Sequence, residues 1–335
     1  MSDSFNQISR RQLIKLGITG VGIAGTAGIV YGCNQSQVNK QKLQAAKIPP
    51  LPENAPQINQ DYHPMKLLRD FDYGKVKQEN GRTVREFEIV AETTTLQLNS
   101  AVSYIAWDYN GRVPGPTLRA KEGDRVRILF LNKGGHAHTM HFHGEHPVTM
   151  DGVKAVHNNK ATIYEFDAEP YGVHLYHCHI PPVTRHITKG LYGMFIVDPP
   201  QDRPPADEMV LVMGGYDIND DNKNELYAFN GIPNYYKQYP IPIYQNQLIR
   251  LYLLNIIEFD AAITFHLHAN FFDVYPTGMT LKPSVTADDI TMGPTERHIL
   301  EFAYRYTGKF MFHPHQDLIA ESGCMGYFDV LPQTS

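Results

Sequence analysis

Pairs of histidines separated by one residue are the feature of this sequence best suited to chemistry. The chain has 16 histidines among 335 residues, for which chance predicts about one such pair. Five pairs are present, at 136/138, 141/143, 177/179, 266/268 and 313/315. Residues two apart on a strand point to the same side, so each pair presents two imidazoles that together can chelate a metal ion.

The residues around these pairs indicate a second kind of metal site. Cys178 lies inside the 177/179 pair and must point to the opposite side of an extended strand. His138 also falls on the opposite side from the 141/143 pair if that segment is extended. Together with His186, which follows after a loop, Cys178 and His138 form a His₂Cys set, the ligand set of a trigonal blue-copper site.

The chain repeats itself, and four of the five histidine pairs fall at corresponding places in the repeat. In the second copy Pro314 stands at the position of the cysteine and Ile263 at that of the first histidine. We therefore expect the second copy to have lost its mononuclear site. Cys324 aligns with Leu191 and is interpreted as a small buried residue or a relic.

The secondary structure that positions these ligands is predicted to consist of β-strands. Residues 125–128 alternate between charged and apolar side chains, residues 248–254 are rich in strand formers, and no stretch has a convincing amphipathic helical pattern. These patterns predict an all-β pair of sandwiches. We predict an N-terminal half, residues 65–200, that carries the mononuclear site, and a C-terminal half, residues 201–335, joined by a proline-rich linker.

The first 64 residues are predicted to be an export signal followed by a tether. Arg10 and Arg11 precede an uncharged run, as in a twin-arginine export signal over residues 1–33. Cys33 ends a possible lipoprotein cleavage box, so the protein is expected to be periplasmic or extracytoplasmic, with membrane contact only through a lipid at Cys33. Residues 34–64 are predicted to be a flexible tether. A net charge of −5 argues against nucleic acid as a partner.

Several segments resemble the multicopper oxidase family in its two-domain, small-laccase-like form, which is related to copper nitrite reductases. The matching segments are His138-x-x-His141-x-His143-Gly, Met150-Asp151-Gly152-Val153, His177-Cys178-His179-Ile180, His266-Leu267-His268 and Val113-Pro114-Gly115-Pro116-Thr117. The resemblance implies two tandem cupredoxin-like Greek-key β-sandwich domains. It also implies a homotrimer with the copper clusters at subunit interfaces.

The resemblance implies about four coppers per chain, which oxidise a reducing substrate and reduce O₂ to water. It assigns type 1 copper to His138, Cys178 and His186, and type 2 copper to His141 and His266. The type 3 pair would be held by His143, His177, His179, His268, His313 and His315. The catalytic residues would be Cys178, which conducts electrons between the centres, and Asp151, which assists proton delivery.

Two departures from the family pattern bear on the function. His186 follows Cys178 by eight residues, a loop closer to that of nitrite reductases, and the axial position holds Leu191, with Met194 as an alternative axial ligand. The alternatives are therefore a copper nitrite reductase, which has an aspartate where this chain has His141, and a non-catalytic copper carrier. For an oxidase, the reducing substrate would be a phenol or a metal ion.

Overall fold

A computed structural model describes residues 46–60 and 62–333 of the chain. The predicted export signal, Cys33 and the first part of the predicted tether lie outside the described residues. Helices are short and few in the described part, where none is long and apolar enough to cross a membrane. The helices are α1 (Pro64–Leu67), α2 (Val183–Thr188), α3 (Tyr235–Gln238) and α4 (Asp317–Glu321), with a 3₁₀ turn at Val148–Met150.

The N-terminal half contains ten strands in two sheets. They are β1 (Phe71–Asp72), β2 (Lys75–Glu79), β3 (Arg82–Gln97), β4 (Ser103–Tyr109), β5 (Thr117–Lys121), β6 (Arg125–Asn132), β7 (His141–Phe142), β8 (Ala161–Asp167), β9 (Gly172–His177) and β10 (Tyr192–Asp198). One sheet has the order β1-β5-β10-β9-β7, and the other has the order β2-β3-β6-β8 with β4 paired to β3. Alternate residues of β6 are buried, as the alternation of charged and apolar side chains predicts.

The C-terminal half contains eleven strands, again in two sheets. They are β11 (Asp207–Tyr216), β12 (Leu226–Phe229), β13 (Ile241–Tyr244), β14 (Ile249–Asn255), β15 (Ile263–Leu267), β16 (Phe272–Pro276), β17 (Val285–Ala287), β18 (Asp289–Met292), β19 (Arg297–Phe302), β20 (Gly308–His313) and β21 (Gly326–Leu331). The sheet orders are β12-β11-β14-β19-β16-β17 and β13-β21-β20-β15-β18. The all-β prediction is confirmed.

Two buried clusters form the core, and strand β9 contributes to both. Tyr176 and Cys178, at and just beyond the end of β9, lie in the interior of the N-terminal half with Phe142. Val173 and Leu175 point the other way, into a cluster made mostly of residues from the C-terminal half. Because side chains alternate along a strand, this double burial separates Cys178 from the histidines on either side of it.

The described part of the predicted tether, residues 46–60 and 62–64, is packed against the protein, which corrects the expectation that these residues are flexible. Tyr62 is fully buried and donates a hydrogen bond to the carbonyl of Asn230 at 2.5 Å. Tyr235 donates to the carbonyl of Pro56 at 2.8 Å. The proline-rich composition suggested a tether, but a few apolar side chains such as Ala55 give this segment a buried face.

Candidate copper centres

The three residues expected to hold a mononuclear metal come together in the interior of the N-terminal half. His138, Cys178 and His186 are buried, and their candidate ligand atoms all lie within 4.8 Å of one another. The Cys178 Sγ atom is 3.2 Å from His186 Nδ1 and 3.9 Å from His138 Nδ1, and the two Nδ1 atoms are 3.3 Å apart. Two imidazole nitrogens and one sulfur thus converge on one point.

The chain encloses this site on several sides. The backbone N–H of Thr139 donates to Cys178 Sγ at 3.4 Å. Gly134 lies against the His138 ring so closely that a Cβ there would be 2.5 Å from Nε2. Trp107 covers the two histidines, with ring centroids 5.5 Å from His138 and 4.9 Å from His186. Because Trp107 is itself partly exposed, its ring lies between the site and solvent.

Four further histidines of the N-terminal half form a second group. This group, the N-terminal histidine cluster, consists of His141, His143, His177 and His179. Neighbouring rings in it lie 5.0 to 5.9 Å apart between centroids. His143 Nε2 and His177 Nε2 are 3.1 Å apart, an arrangement in which two imidazoles aim at a shared point.

The C-terminal half repeats this arrangement. The C-terminal histidine cluster consists of His266, His268, His313 and His315. Its neighbouring rings are 4.9 to 5.9 Å apart, and His268 Nε2 lies 2.9 Å from His313 Nε2. Within the described residues, no hydrogen bond or ring contact joins the two clusters. One chain therefore presents two separate half-sites of four histidines.

Strand register explains why the two clusters match. His141 on β7 is the partner of His177 on β9, and His266 on β15 is the partner of His313 on β20. Each histidine pair is thus placed beside the other by an antiparallel ladder. Because both halves share this register, the histidine pairs recur at corresponding places in the sequence.

Backbone carbonyls fix the orientation of the rings. The Nδ1 atoms of His141 and His266 lie 2.7 and 2.8 Å from the carbonyl oxygens of Asp151 and Asp288. Those of His177 and His313 lie 2.9 and 2.7 Å from the carbonyls of Cys178 and Pro314. A ring whose Nδ1–H donates to a carbonyl is held in one tautomer and keeps Nε2 free to bind a metal.

Burial favours the neutral form of six of the candidate ligand imidazoles. Desolvation lowers the pKa of His143 to about 3 and the pKa values of His138, His177 and His186 to about 4. It also lowers the pKa values of His268 and His313. Burial raises the pKa of the Cys178 thiol, so metal binding there must release a proton.

The donor sets fit copper. A thiolate with two imidazoles is a soft set that suits copper in a trigonal site, and clustered imidazoles suit copper as well. Leu191 contributes no ligand atom, and it lies fully buried in the same interior as Cys178. Met194, the alternative axial ligand, packs in the other buried cluster and is not directed to this site.

Asp151 lies beside the N-terminal histidine cluster. Its Oδ1 atom is 3.1 Å from His141 Nδ1 and 3.8 Å from His146 Nε2. The carboxylate is about one third exposed, so it contacts both solvent and a candidate metal ligand.

Sequence reasoning missed some residues of these centres. It did not include His146 among the site residues, although the His146 ring lies 6.4 Å from that of His141. It did not single out Asp288, whose carbonyl orients His266 as that of Asp151 orients His141. The internal repeat did not identify Asp288, because Asp288 follows its histidine pair at a different distance in the sequence than Asp151 does. Cys324 is buried, as expected from sequence.

Comparisons with known proteins agree with this geometry. Family models described as multicopper oxidase match residues 90–202 and 202–334. A solved structure of a multicopper oxidase is 46% identical, with a TM-score of 0.80, and the match covers 83% of this chain and 98% of that one.

Copper nitrite reductases are also similar to this chain. The copper-containing nitrite reductase of Neisseria meningitidis serogroup A is 31% identical over 172 residues, which are 49% of this chain but only 39% of that protein. The chain thus spans about two fifths of the curated relative it matches. The solved copper nitrite reductase of Nitrosomonas europaea is 25% identical with a TM-score of 0.67, over 74% of this chain and 94% of that one. The two family-model matches, together with the solved multicopper oxidase, show that this chain belongs to the multicopper oxidase family.

Proposed function

We propose that this protein couples the one-electron oxidation of a reducing substrate to the four-electron reduction of O₂ to water. The observation that carries this proposal is the presence of two matched four-histidine clusters in addition to the His₂Cys site. A mononuclear site alone would serve a copper carrier, which needs no further histidines. Eight more imidazoles, arranged in two half-sites, suit a cluster of three metal ions.

The residues present divide among the proposed coppers as follows. His138, Cys178 and His186 would hold type 1 copper, with Leu191 at the axial position. His141 and His266 would hold type 2 copper, while His143, His177, His179, His268, His313 and His315 would hold the type 3 pair. This gives about four coppers per chain. Bound copper would supply the one-electron redox chemistry, since no side chain here does so by itself.

The chain itself connects the centres and handles protons. Cys178 is joined by one peptide bond to each of His177 and His179, which gives a short covalent path from the buried sulfur to the N-terminal histidine cluster. Asp151 holds its carboxylate against His141 and would supply protons for the reduction of O₂. His186 lies beneath Trp107, and this contact supports the proposal that electrons enter at that surface.

We further propose a homotrimer in which the N-terminal histidine cluster of one subunit meets the C-terminal cluster of another. Two half-sites without mutual contact inside one chain support this arrangement. Apolar side chains near both clusters also support it: Val148, three residues before Asp151, is 81% exposed, and Leu318, three residues after His315, is 80% exposed. Analytical ultracentrifugation tests the proposal, and a monomer with a full copper complement would contradict it.

Nitrite reduction is the second candidate because copper nitrite reductases are among the similar proteins. His141 argues against it, since this position holds an imidazole within the N-terminal histidine cluster, whereas the resemblance to nitrite reductases implies an aspartate there. The two candidates also differ in their oxidant. Copper-loaded protein with an excess of reductant should consume O₂ and leave nitrite unchanged.

The reducing substrate is proposed to be an electron-rich phenol or a reduced metal ion, and the protein is proposed to act outside the cytoplasm after twin-arginine export. O₂ uptake by the copper-loaded protein should be measured with a set of phenols, ferrous iron and manganous ion. Sustained uptake with at least one of them supports the oxidase. No uptake with any of them would contradict it and favour the carrier.

A further inference from the structure

The last histidine of each histidine cluster lies just beyond the end of a strand ladder. Strands β9 and β20 end at His177 and His313, so His179 and His315 follow two residues later. At these positions the backbone N–H groups have no ladder partner, although both histidines are assigned as copper ligands. An N–H group without a partner leaves the position of its residue poorly fixed.

A threonine hydroxyl takes the place of the missing ladder partner in both halves. The N–H of His179 donates to Thr139 Oγ1 at 3.1 Å, and the N–H of His315 donates to Thr264 Oγ1 at 2.7 Å. Each threonine lies two residues before the first histidine of its cluster. The antiparallel register of each strand pair, extended by two residues, sets that threonine opposite the final histidine.

The two threonines differ in what else they touch. The Thr139 N–H donates to Cys178 Sγ at 3.4 Å, and its hydroxyl oxygen lies 4.0 Å from the same sulfur. Thr139 therefore contacts the mononuclear site and the N-terminal histidine cluster at once. In the C-terminal half Pro314 replaces the cysteine, and the Thr264 N–H donates to Gln316 Oε1 at 3.0 Å.

We propose that Thr139 and Thr264 are a matched pair of positioning residues that hold His179 and His315 in place for the copper cluster. Thr139 alone also links the type 1 site to that cluster, because its hydroxyl lies between Cys178 Sγ and the His179 N–H. The inference rests on the proposed function in that it takes both histidines as cluster ligands. It adds that a side-chain hydroxyl, outside the ligand set, sets the position of one ligand in each half.

Valine and serine substitutions separate the hydroxyl from the shape of the side chain. Thr139→Val and Thr264→Val keep the branched shape and remove the hydrogen bond, while Thr139→Ser and Thr264→Ser keep the hydroxyl. The wild type and the four variants are loaded with copper. The measured quantities are copper per chain, the near-ultraviolet and blue absorption bands, the type 1 reduction potential and the rate of copper loss to a chelator.

Both valine variants should lose cluster copper at least about tenfold faster than the wild type, with a weaker near-ultraviolet band, and both serine variants should restore wild-type behaviour. Only Thr139→Val should also shift the blue band and lower the type 1 potential, because hydrogen bonds at the sulfur tune that site. Valine variants that retain copper like the wild type would overturn the proposal. Serine variants that lose cluster copper as fast as the valine variants would also overturn the proposal.

Equal changes of the blue band in Thr139→Val and Thr264→Val would overturn the linking role of Thr139. The wild type provides a separate test of the proposed function. If it lacks the near-ultraviolet band, the three-copper cluster is wrong. The threonine roles are then tested in the copper-free protein by urea unfolding, where valine, but not serine, should lower the midpoint.

Discussion

Cys178 and Leu191 are joined through their backbones and share one buried interior. The Cys178 N–H donates to the Leu191 carbonyl at 3.0 Å, and the Leu191 N–H donates to the carbonyl of His186 at 3.1 Å. Leu191 is therefore tied to two of the three residues assigned to type 1 copper. Its side chain is fully buried and offers no ligand atom. For the proposed type 1 copper, this arrangement predicts a three-coordinate site with a high reduction potential.

Leu191→Met should lower the type 1 reduction potential and shift the blue absorption band, because a thioether becomes available at the axial position. The substitution conserves volume and should cost less than about 1.5 kcal/mol of unfolding free energy. A redox titration of the blue band measures the change. Met194→Leu is the matched control and should leave the potential unaltered, since Met194 packs in the other buried cluster.

Cys178→Ser should abolish the blue band, because a serine hydroxyl cannot replace the thiolate in the proposed type 1 site. The two histidine clusters should still bind copper, so the near-ultraviolet band expected of the proposed three-copper cluster should persist at reduced intensity. Absorption spectra with copper analysis test this. Retention of the blue band would show that another residue holds the type 1 copper.

Asp151→Asn should lower kcat for O₂ reduction by about 10²-fold, the lower end of what a positioned proton donor contributes. The Asp151 carbonyl still accepts from His141, so copper content should change little. Asp202→Asn, at an exposed carboxylate, is the control and should keep the wild-type rate. If Asp151→Asn turns over at the wild-type rate with a full copper complement, Asp151 is not the proton donor.

The unfolding free energy of the copper-free protein should depend strongly on pH. Four histidines have native pKa values near 3 to 4, below the ordinary value of 6.5. Between these values the unfolded chain binds more protons than the native protein, so the unfolding free energy falls as pH decreases from 6.5 to 4. Urea titrations should show an uptake of up to about four protons on unfolding in this range. A copper-free protein equally stable at pH 7 and pH 4.5 would contradict this.

Much of the fold and the ligand sets was predictable because strand alternation is a local property. The period of two along residues 177–179 is enough to send Cys178 one way and the two histidines the other, as the separate clusters show. The repeat then identified the second set of histidines. The all-β class and the family membership are confirmed by the structure and the comparisons.

Contacts that depend on register and on chain packing were not predictable in the same way. The hydroxyl of Thr139 reaches His179 only because β7 and β9 pair as they do. The carbonyl of Asp288, the residue directly before β18, lies next to His266. The spacing of residues in the sequence does not indicate this contact. The segment before Pro64 looked like a tether because composition does not show that Tyr62 fits a pocket near Asn230.

Copper per chain, measured together with the visible and near-ultraviolet spectrum of the fully loaded protein, tests the central claim most directly. The two histidine clusters and the His₂Cys site predict about four coppers, an intense blue band and a near-ultraviolet shoulder. About two coppers per chain without that shoulder would contradict the three-copper cluster. The nitrite reductase interpretation would then be favoured.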